Sequence, residues 1–168
     1  MKKRGQVEAR IIIYVLAVFI AGIILIYGYT VIKGLTETQE DIILLSFKED
    51  VKAEVEEKSY EFRSSEKLTF SVPKKYTKVC YGDSSRLGRN QGLIDQTIPI
   101  GYTLIRKSMT DDVRDNFFMM EKGIMRDAFY AGDVFLTNVF ECTDVYDGQL
   151  NLKFTALGRQ GVEITGWR

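Results

Sequence analysis

The stretch IIIYVLAVFIAGIILIYGYTVI, residues 11–32, decides what kind of fold this chain can have. It contains no Asp, Glu, Lys or Arg. A helix rises about 1.5 Å per residue, so a run of this length spans roughly 33 Å. The hydrocarbon core of a bilayer is about 30 Å thick. The hydroxyl-bearing side chains inside the run are Tyr14, Tyr27, Tyr29 and Thr30. Three of these lie near its far end, where tyrosines suit a membrane interface. Gly22 and Gly28 allow close helix approach but do not make the GxxxG pattern. A secretory signal peptide has an apolar core of only about 7–15 residues and a small-residue cleavage site after it. This run is longer, and no A-x-A follows it. It reads as a transmembrane helix; the competing reading is the core helix of a large soluble fold.

Working outward, the flanks set the orientation. Lys2, Lys3, Arg4 and Arg10 precede the run. Only Lys33 follows it closely, and the next charges are Glu37, Glu40 and Asp41. Basic residues stay on the cytoplasmic side. Residues 1–10 are therefore expected to be a cytoplasmic basic leader, with the C-terminal part outside the cell membrane. Cys80 and Cys142 both follow the span. A cysteine pair in an extracytoplasmic domain is expected to form a disulfide. Closing a loop of about 60 residues stabilises by about 4 kcal/mol in the chain-entropy model. The alternative is two separate buried thiols. Two lone cysteines in a chain without histidine supply no close-spaced ligand set, so no metal is expected.

The order Lys2-Lys3-Arg4-Gly5-Gln6 before an apolar helix resembles a type IV prepilin (class III) signal, most closely the archaeal version. The resemblance covers the first 30 or so residues. It implies cleavage of the leader between Gly5 and Gln6 by a prepilin peptidase, with Gln6 starting the mature chain. It also implies that the apolar helix first anchors the subunit in membrane lipid and then packs against copies of itself in a surface filament. Glu8 stands for the acidic residue that the family uses in assembly. The family places that residue at the fifth mature position. Here the fifth position holds Arg10 and Glu8 is at the third. An ordinary signal anchor with Gly-Gln in its basic head is the other reading.

Beyond the span the sequence speaks mainly about architecture. There are 23 basic and 23 acidic residues, so no global charge attracts nucleic acid. The absence of histidine removes the commonest general base and rules out Ser-His-Asp and Cys-His machinery. No cofactor motif is present: Gly82, Gly88 and Gly92 lack the Gly-Lys-Ser/Thr of a phosphate loop. The chain is therefore not expected to be an enzyme. The alternative to a pilin-like subunit is a non-assembling bitopic membrane protein with an extracytoplasmic binding domain.

The expected fold class is α+β: a transmembrane helix at 11–32, an amphipathic stalk helix at 36–63, then a small, mostly antiparallel β outer domain at 64–168. Leu44, Phe47, Val51 and Val55 step by three and four and make one apolar stripe. Glu49, Lys52 and Glu56 cover the opposite face, and Glu54 with Lys58 forms an i,i+4 pair. Thr36 or Thr38 is the expected cap, and Gly34 the breaker between the two helices. Leu68, Phe70 and Val72 alternate as in a strand, and Tyr76 to Tyr81 makes another. Gly82 to Gly92 reads as a loop. Thr110-Asp111-Asp112 reads as a helix start that turns Val113, Phe117 and Met120 inward. Asp133–Cys142 is expected to be one strand. The Asp147-Gly148 turn and the glycines 158 and 161 would then complete a three-stranded antiparallel meander.

Overall fold

The computed structural model describes residues 4–88, 90–111, 113–158 and 161–167; for residues 4–11, 36 and 37 only the backbone is described. The fold is α+β, a long N-terminal helix followed by a small, mostly antiparallel β domain. The chain divides into two units between Glu40 and Asp41.

A single helix, α1 (Arg4–Tyr60), carries both the apolar run and the amphipathic stretch. The expected break at Gly34 is absent. One glycine in a helix interior costs only about 1 kcal/mol, and no proline lies between the two stretches. Thr38 accordingly caps nothing. Its hydroxyl donates to the Gly34 carbonyl one turn back, at 3.0 Å. The described part of the first unit is α1 up to Glu40.

The second unit takes the remaining turns of α1, from Asp41. Phe47, Val51 and Val55 are buried there as the stripe requires, and Leu44 packs beside them. Two four-stranded sheets surround this stripe. The first has the order β1 (Phe62–Ser71), β7 (Gln149–Leu157), β8 (Val162–Gly166), β5 (Val134–Phe135). The second has the order β4 (Ile124–Phe129), β3 (Phe117–Glu121), β2 (Lys78–Gly82), β6 (Phe140–Asp144). All neighbours are antiparallel except β5 and β8.

The larger core lies between these sheets and α1. Phe70 from β1, Leu150, Leu152 and Phe154 from β7, and Val162 and Ile164 from β8 meet Val79, Tyr81, Phe117 and Met119 from the second sheet. Strict alternation on β7 and β8 leaves their other face partly exposed. The central strands of the second sheet, β2 and β3, are buried on both faces. Cys80, Phe118 and Met120 point away from the larger core, into a second cluster with Leu87, Ile94, Ile105 and Met109. That cluster is roofed by three short helices: α2 (Ser84–Leu87), α3 (Gln91–Thr97) and α4 (Thr103–Thr110).

Four readings of the sequence are corrected here. Gly82 to Gly92 is not a plain loop: it contains α2 and the start of α3. The turn-forming residues act as N-caps instead. The Asp83 carboxylate accepts from Arg86 N at 3.1 Å, and Asn90 Oδ1 accepts from Leu93 N at 3.2 Å. Second, Thr110 ends a helix rather than starting one. Its hydroxyl donates back to the Arg106 carbonyl, and Asp111 is the C-cap of α4. Asp112 lies outside the described residues. Phe117 and Met120 are buried as expected, but on β3, and Val113 is exposed. An uninterrupted Phe-Phe-Met-Met run fits a strand covered on both faces.

Third, Asp133–Cys142 is two strands in different sheets. The chain turns at Thr137 to Val139, where Val139 takes a φ of 66°. Fourth, the meander is not three-stranded. β7 and β8 form an antiparallel hairpin, whereas β5 joins β8 in parallel and β6 belongs to the second sheet. The Asp147-Gly148 turn is present, with φ values of 50° and 75° suited to Asp-Gly. It links strands of the two sheets, and only Tyr146 and Gln149 pair across it.

Candidate functional site

The feature that most needs a functional account is the first unit. Among the described residues, α1 is the one helix long and apolar enough to cross a membrane. From Ile12 to Ile32 it is apolar on every side, and its large side chains are exposed: Val18 by 73% and Leu25 by 74%. Full burial of one such side chain is worth about 1.5–3 kcal/mol relative to water. A dozen or more in a row favour surroundings other than water for this segment. A helix satisfies its own backbone hydrogen bonds, so hydrocarbon or other helices are suitable surroundings. Gly22 and Gly28 have no neighbour within 4 Å of an added Cβ, so both sit as notches on an unoccupied surface.

Gly5, Gln6 and Glu8 lie within the described length of α1. The side chains of Gln6 and Glu8, and all of Lys2 and Lys3, lie outside the described residues.

The disulfide joins Cys80 on β2 to Cys142 on β6, directly across the ladder. Cys80 is fully buried in the second cluster, whereas Cys142 is exposed on the outermost strand. The bond thus ties the edge of the second sheet to its centre. The Tyr81 hydroxyl and Thr143 Oγ1 bond at 2.8 Å beside it. Burial pushes the Tyr81 phenol up to about 12, so it stays neutral.

A second polar feature sits where α1 gives way to β1. Lys58 is buried, and its Nζ meets Glu66 at 2.9 Å, Glu61 at 3.1 Å and Glu54 at 3.8 Å. The i,i+4 spacing signals Glu54; Glu61 and Glu66 become partners only because the chain turns back into β1. Hydrogen bonds to Glu66 and Glu61 raise the lysine's pKa. A hydrogen bond from Ser64, then one from Lys58, lowers Glu61. Burial raises Glu54. The lysine fixes the exit of α1 by neutralising carboxylates that would otherwise repel.

Removing that charge has a pH signature. A carboxylate lowered in the fold contributes stability above its unfolded pKa of 4.5 and loses it as pH falls through the folded value. Lys58→Met leaves three carboxylates facing each other. Its thermal midpoint is expected to fall below wild type at pH 7. The deficit should shrink as pH drops through the carboxylate range near about 4.5, where the acids protonate. Thermal unfolding of both proteins at pH 7 and pH 4 checks this; equal deficits at the two values would remove the electrostatic role.

No family model, curated protein or solved structure matches this chain.

Proposed function

We propose that this protein is a membrane-anchored, pilin-like structural subunit. Its basic leader faces the cytoplasm, the apolar part of α1 crosses the cell membrane once, and the disulfide-bonded domain faces outward. A prepilin peptidase removes residues 1–5. The freed helix then leaves the lipid to pack against its copies in the core of an archaeal-type surface filament. The observation that carries this reading is helix α1 itself. Its N-terminal part is apolar on all sides and exposed, and its C-terminal part is the central core element of a β domain. One helix thus serves as anchor and as structural centre of the head, as a filament subunit requires. Membrane lipid before assembly and other subunits after it satisfy the same apolar surface. Glu8, close to the new N-terminal amine, is the residue proposed to position neighbouring subunits.

A second reading is favoured by the cleft beside the disulfide described below: a bitopic protein that stays in the bilayer and uses its outer domain for binding. The N-terminus separates the two. Intact-mass analysis and N-terminal sequencing of protein from native membranes are expected to give a mature chain beginning at Gln6. A chain that retains Met1 to Gly5 would overturn the filament reading and leave the anchor.

A further inference from the structure

The outer domain has a cleft of about 490 Å³ alongside its disulfide. One wall is the edge strand β6, and the other is formed by the start of β7 and the end of β8. Glu141, Thr143, Asp144, Tyr146, Asn151 and Trp167 line it. Pockets that hold small organic ligands have volumes of about 300–1,000 Å³.

The polar groups of the cleft are already held in place. Asp144 Oδ1 is paired with Lys78 Nζ at 3.1 Å. Glu141 Oε1 accepts from Asn138 Nδ2 at 2.7 Å. Thr143 is bonded to the Tyr81 hydroxyl. Asn151 Oδ1 accepts from Thr69 Oγ1 at 2.8 Å, which leaves its amide hydrogens as donors. Trp167 Nε1 is buried and has no hydrogen-bond partner among the described residues. A buried donor left in that state costs about 1–3 kcal/mol. Gly166 is required at the cleft wall, because any Cβ there would overlap the Thr143 side chain.

These features select a ligand by elimination. The two lining carboxylates, Glu141 and Asp144, disfavour an anion. A hydrocarbon would strip water from Glu141, Asp144 and Asn151 and give nothing back. Two of the cation positions are already taken: Lys78 holds Asp144, and Lys67 Nζ lies over the Trp167 ring at 5.0 Å. What remains is a neutral molecule with hydroxyls to donate to the acids and oxygens to accept from the Asn151 amide. It also needs an apolar face for the rings of Trp167 and Tyr146. A sugar ring has all three.

We propose that this cleft binds saccharides, as a mono- or short oligosaccharide site on the outer domain. The proposal holds whether the subunit assembles or stays in the membrane.

Trp167 is the single tryptophan of the chain, so indole fluorescence reports on this cleft alone. The full-length protein in detergent micelles would be titrated with glucose, galactose, mannose and N-acetylglucosamine and with their short oligomers. At least one is expected to give a saturable change in emission, together with a shift of the one indole N–H signal by NMR. Asn151→Ala and Tyr146→Ala are each expected to weaken that binding roughly tenfold, the effect of losing one ligand contact of about 1.4 kcal/mol. Tyr146 is 61% exposed, so its substitution leaves the fold intact. Three results would each overturn the proposal: no saturable change with any sugar up to about 50 mM, sugar binding unaffected by both substitutions, or saturation by tetramethylammonium or acetate instead of sugar.

Discussion

Phe47→Ala is expected to destabilise the outer domain by about 3–5 kcal/mol, the usual cost of deleting a buried phenylalanine. Phe47 is 1% exposed and lies on the part of α1 enclosed by the sheets. Its ring meets Phe70 of β1 edge-on at 5.9 Å and Phe129 of β4 at 5.8 Å. It therefore joins three elements from distant parts of the chain. The cavity left by alanine would remove contacts to both sheets at once. Domains of this kind are stable by only about 5–15 kcal/mol, so the loss is a large share of the total. Leu45→Ala is the matched control. Leu45 sits on the same helix but is 58% exposed, and its substitution should stay within about 0.5 kcal/mol. Denaturant unfolding followed by Trp167 emission gives both values. A Phe47→Ala loss below about 1 kcal/mol would mean that α1 is not an integral part of the core.

The second large effect concerns the disulfide. Cys80 and Cys142 are 62 residues apart, and removing the link is expected to cost about 4 kcal/mol in the chain-entropy model. The double variant Cys80→Ala, Cys142→Ala should therefore unfold at a clearly lower temperature. Because Cys142 lies exposed on the sheet edge, mild reductant should reach the bond in the folded protein. Reduced wild type should then unfold close to the double variant. Non-reducing peptide mapping should give one linked pair. Free thiols at both positions in protein from native membranes would remove the bond, and with it the support for an oxidising compartment.

Several parts of this architecture were readable because their signals are local. The apolar run needs only its length and its lack of charge. The stripe Leu44-Phe47-Val51-Val55 needs only the helical period, and all four pack as that period demands. Leu150, Leu152 and Phe154 needed only alternation, and Asp147-Gly148 only the preference of its two residues for positive φ. Two of the misreadings share one cause. A cap and a turn use the same residues, so Asp83 and Asn90 looked like loop formers until the short helices behind them were anchored by Leu87 and Ile94. A helix end and a helix start also share residue types. Thr110 therefore suited either until Ile105 and Met109, one turn apart, were seen buried in the second cluster.

The proposed sugar cleft illustrates what was invisible. Asp144 and Asn151 come from two strands and Trp167 follows the end of a third, and their spacing in the chain follows no motif. Only the divergence of β6 and β7 into different sheets brings them around one space. The partners of Lys58 are similar: Glu54 follows from helical spacing, but Glu66 arrives from β1 after the chain has reversed.

By itself, then, the sequence determined the apolar helix, the α+β class and the buried stripe, and made the pairing of the two cysteines an expectation. Each rests on a periodicity, a composition or a count that holds whatever the rest of the chain does. The tertiary structure alone decided that β5 and β6 part into two sheets, and which side chains surround the cleft. Those outcomes depend on which distant surfaces bury one another. The burial free energy is a property of the assembled core, and no single segment carries it.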